Sequence, residues 1–210
     1  MTIGRIASLW TTLPMLTTLL ICQGAIASGV GAAPTRRPAH AANGKSVSLR
    51  LTDVHQVLGS TLSAGTAGFS QSYVFGACAS QPPITHYSAT FVGPPGTKSV
   101  LSVDSDVYTY KSASGASCSV AHSIAEYKQI GDLRATLGKV TVMHGVGEQA
   151  YMVDVTSPTK SHGVRVHSLG LNFTRGLYRA VIIVLSNQTI KVADMVRLGT
   201  FMDGRMKHTR

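Results

Sequence analysis

Apolar side chains alternate with polar or small ones at 169–173 (LGLNF) and again at 178–185 (YRAVIIVL), with Arg175-Gly176 between them. A period of two places successive side chains on opposite faces of a strand, so the two segments predict a β-hairpin. In the second segment Tyr178, Ala180, Ile182 and Val184 share one face, and Val181, Ile183 and Leu185 share the other. A strand apolar on both faces belongs in the middle of a sheet, covered from both sides. Further strands are expected at 69–78 (Tyr73, Phe75 and Ala77 on one face), 87–92, 100–110, 139–143 and 150–155. Residues 60–68 read as a loop, and Gln81-Pro82-Pro83 and Gly93-Pro94-Pro95-Gly96 as breaks. Asp104 and Asp106 weaken the alternation of the third strand; the pair reads as a solvated edge, with weak cation binding as the alternative.

Three stretches carry the helical period. Residues 51–59 place Val54, Val57 and Leu58 on one face, with Thr52 or Asp53 as a cap and Gly59 as a terminator. Residues 119–130 carry Val120, Ile124 and Tyr127, capped by Ser117 or Ser119. Residues 189–206 place Met195, Leu198, Met202 and Met206 in a stripe that reads as core. Helices interspersed with runs of hairpin-linked strands predict an α+β domain: a mainly antiparallel sheet with two to three packed helices.

The chain begins differently. Arg5 is followed by an uncharged apolar run to Ile21, and Ala25-Ile26-Ala27 supplies the small-x-small pattern of signal-peptidase cleavage. Residues 1–27 therefore read as a signal peptide. Residues 28–46 read as a flexible tether, 47–206 as one domain and 207–210 as a basic tail. The expected location is secreted or extracytoplasmic. Cys22 offers an alternative, a membrane-anchored lipoprotein, although Ile21 is a poor residue before a lipidated cysteine.

The net charge is +10. The basic residues are scattered, without the aromatic interleaving that stacks bases, so nucleic acid is not the expected partner. An acidic polymer or anionic surface remains an alternative. Removing the signal leaves Cys78 and Cys118, which in an oxidising compartment read as a disulfide. Two free thiols are the alternative, as is a reactive Cys118 if it stands at a helix start. No metal, cofactor or catalytic motif appears. His162 and His167 are five apart, on opposite faces of a strand. His144, Gly145, Gly147 and Glu148 form a candidate functional loop. Asn172 and Asn187 lie in sequons that matter only in a eukaryotic host.

The short first helix, the cysteine-bearing strand, the stretch Gly145-Val146-Gly147-Glu148-Gln149-Ala150-Tyr151, the Arg175-Gly176 turn and Asp194 early in the last helix together resemble small exported bacterial sensor-like or lipoprotein domains with a PsbP-like α/β/α sandwich. Glu148 stands where that pattern usually has Asp. The resemblance implies a non-catalytic role. The expected function is thus an exported, non-enzymatic binding or accessory module without a cofactor, acting on an unidentified envelope or extracellular partner. The alternatives are a secreted hydrolase using residues such as His144, Glu148 and Asp104, or a polyanion-binding basic protein.

Overall fold

The computed structural model describes residues 43–59, 61–70, 78, 80–94, 100–133, 140–161 and 164–209. The expected signal peptide, Cys22, most of the expected tether, the predicted strand residues 71–77 and His162 lie outside them. Among the described residues the strands are β1 (Ser63–Ser70), β2 (Thr85–Val92), β3 (Val100–Thr109), β4 (Val140–Val142), β5 (Gln149–Ser161), β6 (Val164–Arg175) and β7 (Tyr178–Ser186). They form one sheet in the order β1-β2-β3-β7-β6-β5-β4, and every neighbouring pair is antiparallel. The helices are α1 (Asn43–Val47), α2 (Leu51–Leu58), α3 (Ala113–Leu133) and α4 (Val192–His208). The class is α+β.

The hairpin of β6 and β7 pairs in register from Arg175 opposite Tyr178, and β7 is the central strand. On one face Tyr178, Ala180, Ile182 and Val184 are buried against α4, whose Met195, Leu198 and Met202 have no exposed surface. Val47, Leu49 and Val54, from α1, α2 and the turn between them, complete this core. On the other face α3 packs on β4 to β7, where Val120 meets Tyr151 and Val153. Full burial of a Met or Leu side chain contributes about 1.5–3 kcal/mol, so the α4 stripe is a principal anchor of the fold.

The structure departs from the sequence reading in four places. Among the described residues the first strand is Ser63–Ser70, over most of the stretch 60–68 that reads as a loop. All eight of its residues stay exposed at the end of the sheet, so no apolar period marks it. Helix α3 starts at Ala113, not at 119, because Ser112 Oγ accepts the N–H of Gly115 (3.2 Å) and caps an otherwise small-residue turn. Helix α1 starts at Asn43, inside the expected tether, and α4 runs on to His208, inside the expected tail. Asp104 and Asp106 lie on β3, two strands in from β1, and not on an edge.

Candidate functional site

The GxGE loop, the sequence's first candidate, is a structural clasp. Gly145 and Gly147 have φ of 86° and 65°. These left-handed turns set Val146 into the core and bring the Glu148 N–H onto the Thr174 carbonyl (2.7 Å). Glu148 Oε1 accepts the Gly176 N–H (3.3 Å) and lies 3.7 Å from Arg175 Nη1. Arg175 also donates to the Gly147 carbonyl (3.1 Å) and, through Nε, to Asp203 of α4 (2.6 Å). Burial pushes the Asp203 carboxyl up, but hydrogen bonds from Arg175 and Lys207 outweigh it and hold the group below the usual carboxylate range. The loop thus ties the β6–β7 turn to α4. His144 is exposed, Glu148 is engaged in the clasp, and Asp104 lies three strands from β5, so the three do not form one site.

A Cβ at position 147 would stand 2.5 Å from the Thr174 carbonyl oxygen, whereas one at 145 meets nothing within 4 Å. Both positions carry the left-handed penalty, but only the first adds a collision with backbone. Gly147→Ala is expected to cost about 2–4 kcal/mol and Gly145→Ala about 1–2 kcal/mol in urea unfolding. Equal costs would contradict the clasp geometry.

The histidines yield a different cluster, on the α3 face of the sheet. Ser70 of β1 pairs with His86 of β2, His86 with Tyr108 of β3, and Tyr108 with Arg179 of β7. Side chains of directly opposed residues are neighbours on one face, so these four form a single row across the strands. The His86 and Tyr108 rings stack at 4.2 Å with 8° between planes, and the Arg179 guanidinium carbon lies 5.4 Å from the Tyr108 ring centre. His86 Nδ1 is 2.6 Å from Ser70 Oγ, and its Nε2 is 2.7 Å from Asp106 Oδ1. Ser70 is exposed, while the imidazole is largely buried.

Arg179 is itself buried. It donates from Nε to Asn172 Oδ1 (3.1 Å), from Nη2 to Ser123 Oγ (2.8 Å) and from Nη1 to Ser119 Oγ. Asn172 in turn donates to the Tyr151 hydroxyl (2.6 Å). Burial within this network also removes Asn172 as a glycan acceptor in the folded domain.

Two residues from Asp106 on β3, Asp104 accepts from Thr90 Oγ1 (2.8 Å). Burial pushes its carboxyl up, the Thr90 bond pulls it down and neighbouring Asp106 pushes it up, leaving it above its ordinary value. A carboxyl whose pKa is raised in the fold opposes folding once ionised. That penalty is present at neutral pH and fades as pH falls through the raised value. Asp104→Asn, which keeps the acceptor for Thr90, is therefore expected to raise the urea midpoint at pH 7. The gain shrinks toward pH 3.5, and an equal gain at both pH values would refute the assignment.

Cys78 and Cys118 are joined in a disulfide. Cys118 is the sixth residue of α3, not its start, so the expectation of a helix-activated thiol does not apply. A shallow depression of about 430 Å³ lies elsewhere, lined by Lys45, Ser46, Leu49, Arg50 and Tyr87. Among the described residues no group of three metal-ligating side chains occurs, and no helix is long and apolar enough to cross a membrane.

No family model matches the chain, and no curated protein does. The PsbP-like expectation thus has no family match behind it. Among solved structures, the extracellular domain of PknH from Mycobacterium tuberculosis is similar in fold at a TM-score of 0.47 and 11% identity, over 85% of this chain and all of that one.

Sequence reasoning singled out Asp104 and Asp106 but missed Ser70 and His86. Their pairing rests on the register of β1 on β2, which no local pattern encodes.

Proposed function

We propose that the chain is an exported binding or accessory module of the cell envelope or extracellular space that holds its partner on the β2–β3 part of the α3 face. The observation that carries this reading is the ordered polar row Ser70–His86–Tyr108–Arg179, flanked by Ser88, Thr90, Asp104 and Asp106. Half-burying carboxylates and hydroxyls in mid-sheet costs stability that an apolar face would not, and a site that recognises hydrogen-bond donors is a reason to retain them. The signal-like N-terminus and the disulfide support export.

The test is a chemical-shift survey of the secreted protein against envelope glycans, lipid vesicles and peptides. Shifts are expected at Ser88, Thr90, Asp104 and Tyr108; shifts confined to the α4 face would sink the reading. The intact mass of the native product separates release near Ser28 from lipid attachment at Cys22.

The basic depression favours a second reading, polyanion binding through Lys45 and Arg50. Its signature is affinity that falls steeply with salt and is lost in a Lys45→Ala/Arg50→Ala double variant.

A further inference from the structure

We infer that Ser70 is a nucleophile activated by His86 and positioned through Asp106, and that this face accepts small carboxylic esters and transfers their acyl group to the Ser70 hydroxyl. The inference rests on the proposed binding face and adds a covalent step to it.

Three features support it. The first is connectivity: a serine hydroxyl, an imidazole and a carboxylate are linked in series at 2.6 and 2.7 Å, the arrangement in which a carboxylate fixes the tautomer of a base beside a nucleophile. Asp106 accepts the Nε2 hydrogen, which leaves the Nδ1 lone pair facing the Ser70 hydroxyl. The second is orientation. The imidazole stacks on Tyr108, and Arg179 lies against that ring in turn, so the base does not swing freely. The third is access: the base is largely buried while the nucleophile is exposed, at the end of β1. A polar contact serving only to satisfy His86 has no need of an exposed serine, because water reaches such a position as readily.

The step balances without a co-reactant other than water. Ser70 Oγ adds to the ester carbonyl carbon as its proton passes to His86 Nδ1. The tetrahedral adduct collapses, the carbon–oxygen bond to the alcohol breaks, and the alcohol leaves with the proton from His86. Water then adds to the acyl-serine carbonyl carbon, giving its proton to the same nitrogen; the carbon–Oγ bond breaks, the proton returns from His86 to Ser70 Oγ, and the acid leaves.

The experiment is labelling of the intact secreted protein with a fluorophosphonate probe, read by peptide mass spectrometry, beside a p-nitrophenyl acetate burst assay. Labelling of Ser70 is expected at least ~100-fold faster in folded than in urea-unfolded protein, a comparison that needs no variant. It should vanish in Ser70→Ala, fall at least ~100-fold in His86→Gln, and fall in Asp106→Asn with partial recovery in Asp106→Glu. No rate difference between folded and unfolded protein, or labelling indifferent to His86→Gln, overturns the inference. Shifts at Thr90 and Asp104 with glycans or peptides that persist without any labelling would retain the binding face and remove the nucleophile. Labelling without such shifts would do the reverse.

Discussion

Replacing Arg179 by alanine is expected to destabilise the domain by about 3–5 kcal/mol, among the largest single-residue effects in the chain. The guanidinium donates to three buried oxygens, those of Asn172, Ser119 and Ser123. Truncation leaves each of them short of a donor in a site that is largely closed to water. Hydrogen bonds to a charged group contribute about 1.5–3 kcal/mol apiece, but members of one network do not add, so the total stays below their sum. The cost arises from orphaned partners as much as from the lost side chain. Arg179→Met combined with Ser119→Ala and Ser123→Ala should therefore recover much of the loss, since apolar groups of similar shape leave fewer unmet acceptors. Urea unfolding monitored by circular dichroism measures both. A loss under about 1 kcal/mol for Arg179→Ala would mean that the network does not hold α3 to the sheet. The same variant removes one support of the Tyr108 ring, so the labelling rate at Ser70 should fall as well.

Arg179 also shows where legibility ends. The sequence read 178–185 as a central strand, and so it is, because alternation on both faces is a local pattern that only a middle strand satisfies. Within that strand Arg179 is the one charged residue, and nothing local says whether it meets solvent or a buried network. The answer depends on α3, whose first turns are Ala113-Ser114-Gly115-Ala116-Ser117-Cys118, a run with no apolar period to announce a helix. The Met195–Met206 stripe was legible for the opposite reason: its side chains are large, apolar and spaced for one face. The GxGE loop drew attention through its glycines, and the glycines are required, but for a turn and a close approach to Thr174 rather than for chemistry. The row that carries the proposed site joins four strands by register. Register between residues 16 to 71 positions apart is set by tertiary packing, and a one-residue slip would place His86 on the other face.

The second large effect is expected from the Cys78–Cys118 bond. It closes a span of 40 residues that contains β2 and β3. Loop-closure entropy for that length corresponds to about 4 kcal/mol, a large share of the 5–15 kcal/mol typical of a domain. A Cys78→Ser/Cys118→Ser variant should lose this amount in urea unfolding, and the oxidised native protein should present no alkylatable thiol from this pair. The bond and the Arg179 network fasten the same element: Cys118 and Ser119 are adjacent on α3, and Ser123 lies one turn on. Two fasteners of one helix are not independent. If the disulfide at Cys118 holds the first half of α3 in place, cutting it lets the helix lift and releases the guanidinium's partners together. Arg179→Ala should then cost less in the serine variant than in the oxidised protein. A strictly additive double-mutant cycle would mean that the two act on separate parts of the fold. A shortfall of about 1 kcal/mol or more would mean that α3 docks as a unit. In that case the orientation of the His86–Tyr108 stack, and any chemistry at Ser70, depends on the oxidised state of the protein, because reduction would loosen Arg179 and with it the ring that supports the base.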